Sequence, residues 1–358
     1  MANIYVNHTG TSTPPYDTEA KAARNIQVAL DAAVSGDTVL IKADLDYVMN
    51  GTDQQAAQFD VDVNDNVTIK GYYLSPGDQD YGGTYYKDPN HGWVVVDANN
   101  GAFHVFSAGN KSKLCWYNLK TINVNTAYCV YNLAPIIEKF GYLLQNCVMT
   151  GGKFGVFAAF LGSLIIRDCT FTGTYTTLPT FGAIYIGSSC TRGATIQDCN
   201  FSHGNTTRSI YGANLGMNVV VGNIFNISGT VTSIVEIIGS GFLAHNVIYE
   251  GTGGSITKGI KITGGGQSTV IYNNIIVGCT KSIEDLATVN FGGWNCFYNN
   301  GSNWTLRNGD IVADPQFMNA ANGDFRLKPT SPCLNRGKPT LGGGYTDIGA
   351  WQRKSLLR

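Results

Sequence analysis

Six segments of this 358-residue sequence repeat one pattern, which is a short apolar strand, a polar pair and a second short strand. They are 143–151 (LLQNCVMTG), 164–173 (LIIRDCTFTG), 194–202 (ATIQDCNFS), 219–227 (VVVGNIFNI), 242–250 (FLAHNVIYE) and 270–278 (VIYNNIIVG). Two looser copies are 114–120 (LCWYNLK) and 291–298 (FGGWNCFY). A repeat of this length is typical of solenoids, in which each unit buries its apolar face against the next unit.

One position of the repeat alternates between asparagine and cysteine. Aligning the copies places in it Asn118, Cys147, Cys169, Cys199, Asn223, Asn246, Asn274 and Asn295. In a solenoid these residues would stack, so a buried asparagine at a tight turn can hydrogen-bond its copy in the next rung. A cysteine fills the same place as a small apolar side chain. The pattern therefore predicts a buried ladder of structural residues.

A third short strand precedes the repeat, as at 182–186 (GAIYI), 233–237 (SIVEI) and 259–263 (GIKIT). Amphipathic helices, which a β-α-β alternation requires between its strands, are missing from the pattern. Only 14% of the residues are charged, and 44 are glycine, a composition that does not favour long helices. The sequence predicts an all-β fold, a single-domain right-handed parallel β-helix of about ten rungs.

The two ends differ from the repeats. Residues 1–41 contain apolar residues at helical spacing over 19–34, which predicts an N-terminal segment with an α-helix that caps the first rung. Residues 42–309 form the predicted β-helix, with a Tyr-, Gly- and Pro-rich insertion at 72–92. Residues 310–358 break the repeat and form a predicted irregular segment that packs on the last rungs.

The ends also carry a family resemblance. Residues 4–41 resemble the opening segment of the pectate-lyase-like right-handed parallel β-helix family. The tail is similar to the closing segment called choice-of-anchor in bacterial surface proteins, through DPQF (314–317), DFRL (324–327), SPCLNRG (331–337) and DIGAW (347–351). The resemblance implies the fold strongly. It does not imply one function, because proteins of this fold include polysaccharide lyases, glycoside hydrolases, phage tail spikes and surface proteins.

The resemblance implies two kinds of acidic site. Pectate lyases of this fold use calcium held by clustered carboxylates, and the acidic pairs here, in the first rungs, are Asp44/Asp46 and Asp60/Asp62. Hydrolases of the polygalacturonase type need three aspartates on neighbouring rungs, but only Asp168 and Asp198 occupy equivalent positions. We therefore expect no metal site and no cofactor, and calcium is a possibility without a supporting ligand set.

Alternation along the third strand predicts which side chains point outward. The predicted outward column is His104, Tyr131, Phe157, Tyr185, Tyr211, Glu236, Lys261 and Glu284. Exposed aromatic rings in a row bind the apolar faces of sugars, which makes ligand-binding candidates of His104, Phe157, Tyr185 and Tyr211. An aromatic ladder beneath a loop or a neighbouring subunit is the alternative.

The charged end of this column gives the catalytic candidates, Glu236, Lys261 and Glu284. Lys261 between carboxylates could be a base for β-elimination at a uronic acid, or Glu236 a general acid. Pairing of opposite charges on neighbouring strands is the alternative and the favoured interpretation. Two other basic residues, Arg192 and Arg208, are expected in turns.

Net charge and cysteine content limit the classes of partner and the cellular compartment that we expect. The formal net charge of −1 argues against a nucleic-acid partner, and no apolar run is long enough to span a membrane. Nine widely spaced cysteines favour buried thiols and a reducing compartment. No signal-peptide pattern is visible, so we expect synthesis in the cytoplasm and incorporation into a virion, with an extracellular surface as the alternative.

Three functions remain open on the sequence. The first is a glycan-binding appendage protein, such as a phage tail spike or fibre, either a homotrimer or attached to a larger assembly. The second is a polysaccharide lyase or glycoside hydrolase that acts on an acidic polysaccharide. The third is a purely structural β-helix protein whose aromatic column is a subunit interface.

Overall fold

The computed structural model describes residues 2–49, 59–60, 66–72, 94–99, 105–107, 114–124, 128–132, 141–159, 162–175, 182–190, 192–213, 216–264, 268–286, 289–339, 344 and 346–350. The chain forms two compact units, Met1–Thr170 and Phe171–Arg358, called unit 1 and unit 2. In both units short strands recur in a fixed order of three, and each pairs in parallel with its copy in the next turn. The fold is an all-β parallel solenoid. The insertion predicted at 72–92 lies, after Tyr72, outside the described residues.

Unit 1 contains helix α1 (Ile26–Ala32) and three sheets, 1A, 1B and 1C. Sheet 1A consists of β1 (Asn3–Val6), β2 (Thr38–Lys42), β5 (Val67–Tyr72), β8 (Leu114–Tyr117), β11 (Tyr142–Gln145) and β14 (Leu164–Arg167). Sheet 1B consists of β4 (Phe59–Asp60), β7 (Phe106–Ser107), β10 (Tyr128–Asn132) and β13 (Phe154–Ala158). Sheet 1C consists of β3 (Tyr47–Val48), β6 (Val94–Asp97), β9 (Leu119–Val124) and β12 (Val148–Gly152). Strand β15 (Thr170–Tyr175) contains the boundary between the units.

Unit 2 continues the same order in sheets 2A, 2B and 2C. Sheet 2A consists of β17 (Ala194–Gln197), β20 (Asn218–Val221), β23 (Gly241–Ala244), β26 (Thr269–Tyr272) and β29 (Val289–Gly293). Sheet 2B consists of β16 (Gly182–Ile186), β19 (Thr206–Gly212), β22 (Thr230–Ile238), β25 (Ser255–Thr263) and β28 (Lys281–Asp285). Sheet 2C consists of β18 (Asn200–His203), β21 (Ile224–Ile227), β24 (Val247–Glu250), β27 (Ile275–Val277), β30 (Cys296–Tyr298) and β31 (Ile311–Val312). The antiparallel pair β32 (Phe317–Asn319) and β33 (Asp324–Leu327) follows.

Like side chains stack in the core of unit 2. The rings of Phe171, Phe201 and Phe225 are buried and lie face to face, with centroid distances of 4.8 Å and 4.5 Å. The same position is then filled by Ile248, Ile276 and Phe297, all of them buried. Neighbouring strands in a sheet are about 4.8 Å apart, so identical side chains in successive turns pack directly on one another. The repeat in the sequence is therefore the repeat of the core.

The predicted asparagine ladder is present in unit 2. Asn223, Asn246, Asn274 and Asn295 are at most 1% exposed. In each step the Nδ2 of one asparagine donates to the Oδ1 of the next, at 3.0, 2.9 and 3.1 Å. That Oδ1 also accepts the backbone N–H of the preceding asparagine. Asp310 ends the ladder by accepting from the backbone N–H and the Nδ2 of Asn295.

The placement of Asn118 in that ladder is wrong by one residue. Sheet pairing aligns Gln145 with Tyr117, so Asn118 matches Asn146 rather than Cys147. Both asparagines have a left-handed backbone, with φ of 58° and 51°, and the Nδ2 of Asn146 donates to the Oδ1 of Asn118 at 2.7 Å. Leu119 is the residue that matches Cys147 in the sheet register. Because Leu119 is neither asparagine nor cysteine, the sequence alignment chose the neighbouring Asn118 instead.

The N-terminal helix is shorter than the predicted 19–34. A 3-10 turn covers Glu19–Lys21, and α1 begins only at Ile26, with Asn25 as its N-cap. Between them Ala23 pairs with β1, where its N–H donates to Tyr5 O at 2.9 Å and its carbonyl accepts from Asn7 N–H. That pairing extends the backbone and interrupts the helix. The number of rungs and the capping role of α1 stay predictions.

All nine cysteines are buried thiols. Burial raises the pKa of the Cys129 thiol to about 12, and burial together with the neighbouring Cys169 raises that of Cys147. Thiols in such surroundings are unreactive packing residues. Within the described ranges, no helix combines the length and the apolar character that a membrane span needs.

Candidate functional site

The outward column predicted from alternation is confirmed within each unit. In sheet 2B the register pairs Tyr185 with Tyr211, Tyr211 with Glu236, Glu236 with Lys261 and Lys261 with Glu284. The residues on either side of the column point inward and are buried, among them Ile210, Val235, Ile260 and Ile262. In sheet 1B the register pairs Tyr131 with Phe157. His104 lies outside the described residues.

The aromatic side chains of the column are half-buried and packed in pairs. Tyr185 and Tyr211 have ring centroids 5.8 Å apart with a tilt of 38°, and Tyr131 and Phe157 stack at 5.5 Å. Burial, followed by the neighbouring Tyr211, raises the pKa of Tyr185, so its phenol is neutral and can donate a hydrogen bond. The Tyr185–Tyr211 pair offers an apolar surface with polar tips.

Glu236 is outward in register but only 4% exposed, because two cations cover it. Arg208 Nε donates to its Oε2 at 2.6 Å, and Lys261 Nζ donates to its Oε1 at 2.9 Å. Burial on its own would raise the pKa of Glu236, but the hydrogen bonds and charges of Arg208 and Lys261 outweigh it and lower the pKa. Glu236 is therefore ionised at neutral pH, which does not suit a general acid.

The expectation that Arg208 falls in a turn is wrong. Arg208 lies within β19, and its guanidinium stands 4.4 Å above the ring centroid of Tyr211. It links the aromatic part of the column to Glu236. In the sheet register Arg208 shares a row with Gly182, Ser233, Lys258 and Lys281, so three of these five members are basic.

Glu284 belongs to a second charge cluster rather than to a trio with Glu236 and Lys261. Lys258 Nζ lies 2.7 Å from its Oε2 and Lys281 Nζ 3.4 Å from its Oε1. The hydrogen bond from Lys258 lowers the pKa of Glu284 against the opposing effect of burial, and Lys281 lowers it further. The candidate catalytic residues are thus divided between two clusters, Arg208–Glu236–Lys261 and Lys258–Glu284–Lys281.

Together these side chains form one surface, which we call the sheet 2B face. Its members are Tyr185, Arg208, Tyr211, Glu236, Lys258, Lys261, Lys281 and Glu284. Four cations against two carboxylates leave an excess of two positive charges. Both carboxylates are engaged in ion pairs with these cations, and the Tyr185–Tyr211 pair lies beside Arg208. The arrangement is suited to binding an anion that also has an apolar surface.

Within the described part of the chain, the acidic residues considered for a metal do not gather into a cluster. Asp44 accepts from His8 Nδ1 at 2.8 Å, while Asp62 lies outside the described residues. Asp168 and Asp198 occupy turns with a left-handed backbone, at φ of 55° and 52°. In the part of the chain that the structure describes, no three His, Cys, Asp or Glu side chains converge on one point.

Comparison with known proteins supports the fold. A crystal structure titled pectate lyase Pel9A is similar to this chain with a TM-score of 0.51 and 12% sequence identity. The match covers 98% of this chain and 96% of that one. No family model matches the sequence, and no curated protein matches it. The chain is thus a parallel β-solenoid of the right-handed type, and the choice-of-anchor character of its tail stays a prediction.

Proposed function

We propose that this protein binds an acidic polysaccharide on the sheet 2B face. In this proposal Tyr185 and Tyr211 pack against the apolar faces of sugar rings, and the neighbouring lysines and Arg208 pair with carboxylates of the polymer. The observation that carries it is the half-buried tyrosine pair next to four cations that only two carboxylates offset. The pectate lyase that shares the fold is consistent with it, although fold alone does not specify function.

Replacing each tyrosine by alanine tests the proposal. Tyr185→Ala and Tyr211→Ala should each raise the Kd for an acidic polysaccharide about tenfold, because aromatic anchors dominate such surfaces. The thermal unfolding midpoint should stay nearly unchanged, since the rings are half-exposed. Tyr298→Ala is the matched control, because Tyr298 is 39% exposed and lies on sheet 2C. Unchanged binding in both test variants would rule the surface out, and loss of an oligomer instead would identify a subunit interface.

A lyase activity on the same polymer is the second candidate. The observation in its favour is Lys261, whose amine reaches the outward column next to the proposed binding surface. The ion pair of Lys261 with Glu236, at 2.9 Å, argues against a lyase. A lysine acts as a base only in its neutral form, and the neighbouring carboxylate stabilises the charged form. Absorbance of unsaturated chain ends, with Lys261→Ala as the variant, separates the two: turnover that Lys261→Ala abolishes without weakening binding identifies the lyase.

We also propose that the binding serves a surface appendage, such as a phage tail spike. Support comes from the nine buried thiols, which suit folding in a reducing compartment before display. A native mass of three chains would agree with a trimeric spike. A monomer at micromolar concentration would count against it and leave the polysaccharide proposal intact.

A further inference from the structure

A cleft of about 490 Å³ lies along β28, the edge strand of sheet 2B. Its other wall is the segment after β30, which pairs with β28 through Ser282 N–H to Ser302 O at 2.9 Å. Trp304 N–H donates to Ser282 Oγ at 2.9 Å and fixes that wall. The volume falls within the range of about 300–1,000 Å³ that small-molecule sites occupy.

Two cations line this cleft, Arg307 held in place by its neighbours and Lys281 partly exposed to solvent. Arg307 is positioned by the Trp304 ring, 4.0 Å from its guanidinium, and by a hydrogen bond from Nη1 to Val289 O at 3.3 Å. Lys281 is 45% exposed and contacts Glu284 only at 3.4 Å. Among the lining residues that the structure describes, Asp285 is the single carboxylate, so these residues carry one net positive charge.

The remaining lining residues are both polar and apolar. Asn303 and Thr305 supply an amide and a hydroxyl, and Ile283 and Trp304 supply apolar surface. Amide, hydroxyl and carboxylate groups together recognise a ligand with several hydroxyls. Asp285 can accept from such hydroxyls, and Lys281 and Arg307 can pair with an anionic group such as a carboxylate.

We propose that this cleft binds one anionic sugar residue, such as a uronate at the end of a polysaccharide chain. The proposal rests on the proposed function for the polymer that supplies this residue. Lys281 belongs to both the cleft and the sheet 2B face, so a chain lying on the face can place its end in the cleft. The carboxylate pairs with Lys281 and Arg307, and the hydroxyls bond to Asp285, Asn303 and Thr305.

Calorimetric titration with free sugars tests the cleft separately from the polymer. The probes are D-glucuronate and D-glucose, which differ by the carboxylate. We expect saturable binding of glucuronate and at least tenfold weaker binding of glucose. Arg307→Gln and Lys281→Gln should each weaken glucuronate binding about tenfold. Arg326→Gln is the matched control, because Arg326 is exposed and pairs with Asp324 on β33.

Three results would overturn the proposal: no saturable binding of glucuronate, equal binding of glucose, or full binding by both cleft variants. If Arg307→Gln fails to fold because Trp304 loses its cover, Thr305→Val decides, since Thr305 lines the cleft, is exposed and is not part of the sheet 2B face. Tyr185→Ala should leave glucuronate binding unchanged. Loss of polymer binding in that variant with retained glucuronate binding therefore distinguishes the two sites, and failure of glucuronate alone refutes only the cleft.

Discussion

Asn246 shows how one residue type fixes a turn of this solenoid. Its Oδ1 accepts from the backbone N–H and the Nδ2 of Asn223, and its Nδ2 donates to Val220 O at 2.8 Å and to Asn274 Oδ1. A buried polar group is costly unless it is hydrogen-bonded, and here every donor and acceptor of the side chain is used. The sequence predicted this ladder because an asparagine recurs in successive copies of the turn. A buried amide there is stable only if backbone groups and neighbouring amides hydrogen-bond to it.

Replacing Asn246 by leucine leaves its neighbours' amide and backbone groups unsatisfied. We expect Asn246→Leu to lower the free energy of unfolding by about 1–3 kcal/mol. Urea denaturation measures the change. Asn226→Leu is the control, since Asn226 is half-exposed on β21 and outside the ladder. Equal stability of Asn246→Leu and the wild type would contradict the role of the ladder.

His203 gives the core of unit 2 a dependence on pH. Its ring is 1% exposed, contacts Ser209 Oγ at 2.9 Å, and has a pKa lowered by burial from 6.5 to about 4. The unfolded chain therefore binds the proton more readily than the folded chain, so stability is full above pH 6.5 and falls between 6.5 and about 4.

Between pH 7 and pH 4.5 this one residue should cost about 2–3 kcal/mol of stability. Denaturant unfolding at the two pH values measures it, and carboxylates contribute to both the wild type and any variant. The comparison is therefore with His203→Gln, which should lose less stability on acidification by about that amount. Equal losses in the two proteins would show that His203 is protonated without penalty.

At the scale of the strands, alternation predicted the outward column but not its basic partner. Counting by twos from Tyr211 places Arg208 inward, because the two residues are three positions apart. Ser209 and Ile210 are both fully buried, so the strand turns two successive side chains inward and brings Arg208 out beside Tyr211. A local break in the pleat leaves no trace in a pattern of apolar residues. Alternation did not predict the burial of Glu236 either, because that burial comes from the side chains of Arg208 and Lys261, which cover the carboxylate.

Position 259 in β25 requires glycine, because the backbone of the neighbouring strand β28 comes too close for a side chain. A Cβ on Gly259 would lie 2.6 Å from Ser282 O and 3.0 Å from Ile276 Cγ2. We expect Gly259→Ala to lower the free energy of unfolding by about 1–3 kcal/mol, because strands held by a backbone ladder cannot separate locally. Thermal unfolding measures it, with Thr257→Ala at an exposed position of the same strand as the control. A stability equal to that of the control would mean that the strands are not held so closely.

At the scale of the molecule, repeats predicted the solenoid, since a core made of stacked copies imposes its period on the sequence. They could not predict the cleft at β28, because Trp304 and Arg307 lie after the last full repeat and reach β28 only through tertiary pairing. The function of a solenoid depends on its outward residues, which the repeat does not constrain. For that reason the sheet 2B face, with its tyrosines and cations, is where function is proposed.

On the sheet 2B face, we propose, charge and aromatic stacking together bind an acidic polysaccharide. Calorimetry with one polyuronate and with the same polymer after reduction of its carboxyl groups to alcohols tests it most directly. We expect saturable binding of the polyuronate that weakens as salt is raised from about 0.05 to 0.5 M, because screening reduces the attraction of the excess cations. We expect binding at least tenfold weaker for the reduced polymer. Equal affinity for the two polymers, or no binding of either, would contradict it.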